Sequence, residues 1–91
     1  MTDSLQDNTA RQRYELDVGG ELVFASYRRA DGRLIITHVE APPQLRGTGA
    51  ADRFMRALVA TVRASGEKIV PRCGYAAGWL QRHPENADIM G

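Results

Sequence analysis

The fold is decided by residues 38–51, HVEAPPQLRGTGAA, which contain the end of one regular segment and the start of the next. Pro42 and Pro43 stop the segment before them, because neither proline can donate a hydrogen bond to a sheet. The turn at residues 46–49, RGTG, then leads directly into sequence with helical spacing. A helix that begins in a glycine turn exposes unpaired N–H groups at the positive end of its dipole, which suits a phosphate group.

This glycine turn has two interpretations. Arg46 places a cation beside the exposed N–H groups, which favours an anion site. Glycine and threonine also cap many surface helices that bind nothing, and the short pattern alone does not separate the two cases. The turn lacks the Gly-Lys-Ser/Thr ending of a nucleoside triphosphate loop, so an ATPase is disfavoured.

Downstream of the turn, the pattern predicts a helix over residues 49–64, a strand over 68–73 that contains Pro71, and a short helix over 75–82. Gly66 ends the first helix, and Pro84 stops the second. The first helix has one buried stripe at three- and four-residue spacing, formed by Phe54, Met55, Leu58, Val59 and Val62. The strand–helix–strand order predicts a right-handed crossover, with the fourth strand parallel to the third.

Upstream of the turn, three segments read as strands separated by tight turns. Residues 13–18 alternate strictly between apolar and charged side chains, and residues 21–28 and 33–40 follow glycine turns at residues 19–20 and 31–32. In the third strand, alternation places Leu34, Ile36, His38 and Glu40 on one face. The expected fold is therefore α+β, with a three-stranded antiparallel meander, a fourth strand parallel to the third, and two helices.

The composition fits a small globular protein of 91 residues, with 43% hydrophobic and 25% charged residues. Residues 1–12 are polar and predict a flexible tail, which leaves residues 13–91 as a single domain. A formal net charge of +1 gives no general attraction to nucleic acid or membrane. The two histidines and one cysteine lack the spacing of a metal site, and no segment has a membrane-spanning or secretory pattern. We therefore expect a cytoplasmic protein without metal, as a monomer or weak dimer.

The residues around the turn resemble the GNAT superfamily of N-acetyltransferases, whose pyrophosphate loop has the form Arg/Gln-x-x-Gly-x-Gly/Ala. Residues 46–51 fit that form. The chain further resembles the short YjdJ-like branch of the superfamily in four segments, which are HVEAP at 38–42, LRGTG at 45–49, PRC at 71–73 and QRHPE at 81–85. It departs from that branch where Gly74 follows Cys73 in place of a proline.

The resemblance implies that the chain binds acetyl-coenzyme A. It implies that the diphosphate lies on the turn, with the contacts supplied by Arg46, Gly47, Thr48, Gly49, Ala50 and Ala51. It also implies that pantetheine lies between the splayed third and fourth strands and bonds the backbone of Val39 and Ala41. The implied reaction transfers the acetyl group to a primary amine on a small molecule or a protein lysine.

The implied catalytic residues are Cys73, His38 and Glu40, which are expected to converge at the thioester. Histidine titrates near neutral pH and can move a proton, while Glu40 either orients His38 or relays the proton through water. The amine attacks directly, or Cys73 first accepts the acetyl group. Tyr75 is a further candidate for reaching the thioester. Cys73 as a small core residue and His38 as a satisfied core histidine stay open as structural alternatives.

Two other functions stay open at this point. The first is a coenzyme A-binding module without efficient transfer, since the chain has no extra N-terminal helices of the kind that shape acceptor sites in larger relatives. The second is a nucleic-acid or protein adaptor, which rests only on the three arginines of the long helix, at positions 53, 56 and 63.

Overall fold

The computed structural model describes residues 5–91 as one five-stranded sheet with two α-helices. The strands are β1 Leu5–Asn8, β2 Arg13–Val18, β3 Glu21–Ala30, β4 Arg33–Glu40 and β5 Lys68–Pro71. The helices are α1 Ala50–Ser65 and α2 Gly74–Gln81, and short 3-10 segments cover Pro43–Leu45 and Pro84–Ile89. The spatial order follows the chain, with β1 to β4 antiparallel and β5 parallel to β4.

The predicted α+β class, the meander and the parallel crossover are confirmed. The glycine turns adopt the positive φ that hairpins need, at 61° for Gly19 and 73° for Gly32. Helix α1 ends at Gly66, which has a φ of 79°. The predicted boundaries of α1, β5 and α2 were off by one or two residues.

The sheet has a fifth strand where the sequence predicted part of a flexible tail. Leu5–Asn8 pairs with β2, from Leu5 opposite Leu16 to Asn8 opposite Arg13, so the tail prediction is wrong for residues 5–8. Residues 1–4 of that prediction lie outside the described residues. The strand forms despite its polar sequence because its side chains bond across the sheet: Asp7 accepts a hydrogen bond from the Tyr27 hydroxyl and pairs with Arg29.

The hydrophobic core lies between one face of the sheet and the two helices. All five residues of the predicted stripe on α1 are buried, and Ala76, Trp79 and Leu80 of α2 join the same cluster. Among the described residues 5–91, no helix combines the length and apolar character needed to cross a membrane. The packing fixes α1 and α2 against the sheet and thereby positions the loops at its edge.

Strand β4 contains a β-bulge at Thr37. Ser26 pairs with His38 while the next residue of β3, Tyr27, pairs with Ile36, so two residues of β4 oppose one residue of β3. The extra residue reverses the alternation, because side chains in a strand repeat with a period of two. Leu34 and Ile36 face the core, whereas His38 and Glu40 face outward. The prediction that all four share one face is wrong, and the His38 side chain is 56% exposed.

Strands β4 and β5 separate beyond the bulge. Their pairing ends at Ile36 opposite Pro71, and a hydrogen bond of 2.8 Å from the Arg72 N–H to the Ile36 carbonyl follows it. Within the described chain, the last four residues of β4 have no partner on β5. The end of β4 is therefore a free edge that opens toward the loop before α1.

Candidate functional site

A cleft of about 530 Å³ lies at the free edge of β4. Three elements close it: the loop that leads into α1, the first turn of α1 and the start of α2. Its lining residues are His38, Val39, Glu40, Ala41, Leu45, Arg46, Gly47, Gly49, Ala51, Asp52 and Tyr75. The cleft therefore joins the glycine turn to the end of β4.

The glycine turn leaves space inside the cleft. Gly47 and Gly49 have φ values of 78° and 83°, a backbone region that side chains rarely adopt. A Cβ atom built on either residue has no neighbouring atom within 4 Å. These glycines are therefore required by the backbone turn and not by packing, and they leave the floor of the cleft uncovered.

Thr48 braces the turn from within. Its hydroxyl donates to the Leu45 carbonyl at 2.5 Å and accepts the Ala50 N–H at 3.3 Å. The N–H groups of Ala51 and Asp52 belong to the first helical turn, where no carbonyl within the helix is available to them. The turn therefore presents N–H groups of α1 to the cleft while its own polar side chain is bonded internally.

The charged side chains around the turn differ in whether another residue pairs with them. The guanidinium of Arg46 lines the cleft and forms no hydrogen bond or ion pair with another residue of the described chain, residues 5–91. Asp52 is held by Arg56 Nε at 2.7 Å and by Trp79 Nε1 at 2.9 Å. The bond from Arg56, followed by the bond from Trp79, lowers the pKa of Asp52. The acid is thus paired, and Arg46 is the cation available to an anion in the cleft.

The cleft is also lined by groups that can move protons. His38 Nε2 lies 3.0 Å from Glu40 Oε1, as expected for residues two apart in a strand, and the bulge places this pair on the outer face. Tyr75, at the start of α2, also lines the cleft. Burial, and then the charge of Asp52, raise the pKa of the Tyr75 hydroxyl.

The sequence of the chain matches a known protein family. The sequence model of the GCN5-related N-acetyl-transferase family matches residues 13–89, which is most of the chain. The chain belongs to this family. The assignment confirms the predicted superfamily, while membership of the narrower YjdJ-like branch stays a prediction.

The fold is also found in a solved structure. The NMR solution structure of a GCN5-like protein from Staphylococcus aureus matches with a TM-score of 0.71. The match covers 97% of this chain and 87% of the other, at 18% sequence identity, so it supports the fold alone. No curated protein matches the chain.

The structure places the predicted site residues of this family member in two groups. Eight of them line the cleft, namely His38, Val39, Glu40, Ala41, Arg46, Gly47, Gly49 and Ala51. Thr48 and Ala50 shape the turn from behind, and Cys73 is half-buried against the core just before α2 and is not among the lining residues. The sequence interpretation missed Asp52, although Arg56 four residues later in the helix was a signal for the ion pair.

Proposed function

We propose that the protein transfers an acetyl group from acetyl-coenzyme A to a primary amine. The observation that carries this proposal is the single cleft that connects the glycine turn of α1 to the free edge of β4. Coenzyme A needs both features, because it has a diphosphate near one end and an amide-containing pantetheine arm at the other. Family membership supports acyl transfer as the reaction class.

The diphosphate end fits the glycine turn. The N–H groups of Gly47, Gly49 and Ala51, together with the guanidinium of Arg46, would hold the phosphates. The positive φ of both glycines and the space beyond their Cα atoms allow the ligand to approach the backbone closely. Thr48 and Ala50 contribute by fixing the shape of the turn.

The pantetheine arm fits the free edge of β4. Before the bulge, the carbonyls of Gly32 and Ile36 accept hydrogen bonds from the β5 side, so the backbone groups of even-numbered residues point toward β5. The extra residue at Thr37 shifts the alternation by one, so beyond it the backbone groups of odd-numbered residues point to that side. The backbone groups of Val39 and Ala41 would therefore face the cleft, where an extended ligand can bond to them as an added strand does.

The chain's own side chains supply the proton transfers. The bound coenzyme provides an acetyl group that is activated as a thioester. The Glu40 and His38 pair takes a proton from the acceptor ammonium, and the Tyr75 hydroxyl donates a proton toward the sulfur as it leaves. A tyrosine hydroxyl is protonated at neutral pH and can therefore act as a donor.

We propose direct attack by the amine, since Cys73 does not line the cleft. Replacing Cys73 with alanine should change kcat/KM by less than about threefold, because the thiol then acts only in packing. Steady-state coenzyme A release measures this. Intact mass spectrometry after mixing the protein with acetyl-coenzyme A should show no acetyl adduct. An adduct that disappears in Cys73→Ala, together with a large loss of activity, would establish the covalent route instead.

The proposed function is tested by coenzyme A release with a panel of primary amines. We expect release that depends on the amine and saturates with its concentration. Tight coenzyme A binding without amine-dependent release would support the binding module instead. A melting temperature that coenzyme A leaves unchanged would contradict both.

A further inference from the structure

We infer that the acceptor is a small alkyl- or arylalkylamine whose apolar part binds in a second pocket, on the outer face of the sheet. This inference rests on the proposed function. The second pocket has a volume of about 490 Å³ and lies on the side of the sheet away from α1. The residues that matter for its chemistry are Arg13, Leu22, Phe24, Glu40, Pro42 and Pro43.

Glu40 lines both pockets, so its side chain lies where the cleft and the outer pocket adjoin. The bulge at Thr37 produces this arrangement, because it turns the Glu40 side chain from the core face to the outer face. An amine whose nitrogen lies at the Glu40 carboxylate can therefore extend its chain into the outer pocket. The same nitrogen then lies beside the Glu40 and His38 pair, which also lines the cleft.

The outer pocket is apolar apart from Glu40 and Arg13. Leu22 is 38% exposed, although leucine is usually buried, and the Phe24 ring stands beside the His38 ring at 6.3 Å. The two prolines complete an apolar wall, which favours a hydrocarbon group over a peptide backbone as its ligand. This composition favours an alkyl chain or an aromatic ring as the body of the acceptor.

The charges favour an ammonium group. Arg13 pairs with Glu15 at 2.6 Å, and its guanidinium lies 4.3 Å from the centre of the Phe24 ring, so its charge is compensated and its planar group forms part of the wall. Glu40 is the acid at the junction of the two pockets. An amine that also carries a carboxylate, such as a free amino acid, would place a second negative charge in the same apolar space.

The amine nitrogen forms a bond to the acetyl carbonyl carbon, and the carbon–sulfur bond breaks. The ammonium loses two protons, one to the Glu40 and His38 pair and one to the departing sulfur by way of Tyr75. The products are an N-alkylacetamide, coenzyme A with a free thiol, and one proton released to water.

The kinetic test uses a series of straight-chain primary amines together with 2-phenylethylamine. Each added methylene should lower KM about three- to fourfold until the pocket is filled. Leu22→Arg should raise KM for hexylamine about tenfold through charge repulsion and lost apolar contact, while the affinity for coenzyme A stays unchanged. Met90→Arg is the matched control, because Met90 is 40% exposed and lies in a different pocket. Equal KM values for hexylamine, glycine and a blocked lysine amide would overturn the inference.

A second measurement does not depend on turnover. We expect 2-phenylethylamine alone to shift the NMR amide signals of Leu22, Phe24 and Glu40 in the labelled protein, with much weaker shifts in Leu22→Arg. Shifts elsewhere, or equal shifts in both proteins, would overturn the inference. Failure of the proposed function looks different, because coenzyme A binding would then be missing while these amine shifts remain.

Discussion

Gly49→Glu should weaken coenzyme A binding at least about 100-fold, because it places a carboxylate where the diphosphate is proposed to lie. Gly49 is the N-cap of α1, and a Cβ atom on it meets no atom of the protein within 4 Å. The new side chain therefore clashes with no atom of the protein and would extend into the space proposed for the ligand. Isothermal titration with coenzyme A measures the loss directly.

Gly66→Glu is the matched control for this substitution. Gly66 ends the same helix, has a φ of 79°, and also has open space beyond its Cα atom. Both variants introduce about 1–2 kcal/mol of backbone strain. The helix dipole favours a carboxylate at position 49 and disfavours one at position 66. Gly49→Glu should therefore lose coenzyme A binding and still have the higher free energy of unfolding of the two variants. Equal affinities in the two variants would contradict the assignment of the turn.

Glu40→Gln should lower kcat about 100-fold or more, because the amide has no basic oxygen to accept the ammonium proton. Glutamine has nearly the same shape and can keep the contact with His38, so coenzyme A affinity should stay within about twofold. The deficit should shrink as the pH rises toward the pKa of a free alkylamine, about 10.4, since the amine then arrives already deprotonated. Stopped-flow coenzyme A release across this pH range tests the prediction.

A control separates this effect from a general change in surface charge. Glu85→Gln removes one negative charge from an exposed residue that does not line the cleft, and its activity should match that of the parent protein. A Glu40→Gln variant with the same kcat and pH profile as Glu85→Gln would remove Glu40 from the proton-transfer role.

Sequence periodicity was sufficient for most of the fold. The apolar stripe of α1 and the alternation of β2 are local signals that the tertiary packing reinforces, and the glycine turns at residues 19–20 and 31–32 fix the hairpins between them. Strand β1 was missed because its sequence, LQDN, has no alternation of its own. It is held by its pairing with β2 and by side-chain bonds from Asp7 to the distant Tyr27 and Arg29, which a local pattern does not show.

The candidate site was predictable where backbone chemistry decides it. The positions of Gly47 and Gly49 follow from the turn that the helix start requires, and the structure places both in the cleft. The orientation of His38 was not predictable by alternation. One extra residue at Thr37 reverses which side chains face the core, and the sequence pattern does not reveal this residue as a bulge. The same bulge turns Glu40 toward the outer pocket, which the sequence interpretation did not contain.

The amides at the start of α1 are proposed to hold the diphosphate of coenzyme A. An NMR titration of ¹⁵N-labelled protein with coenzyme A tests this contact. We expect the amide proton signals of Gly47, Gly49 and Ala51 to move downfield and saturate, while those of Gly19 and Gly66 stay in place. Saturable binding that leaves the signals of Gly47, Gly49 and Ala51 unmoved would contradict it.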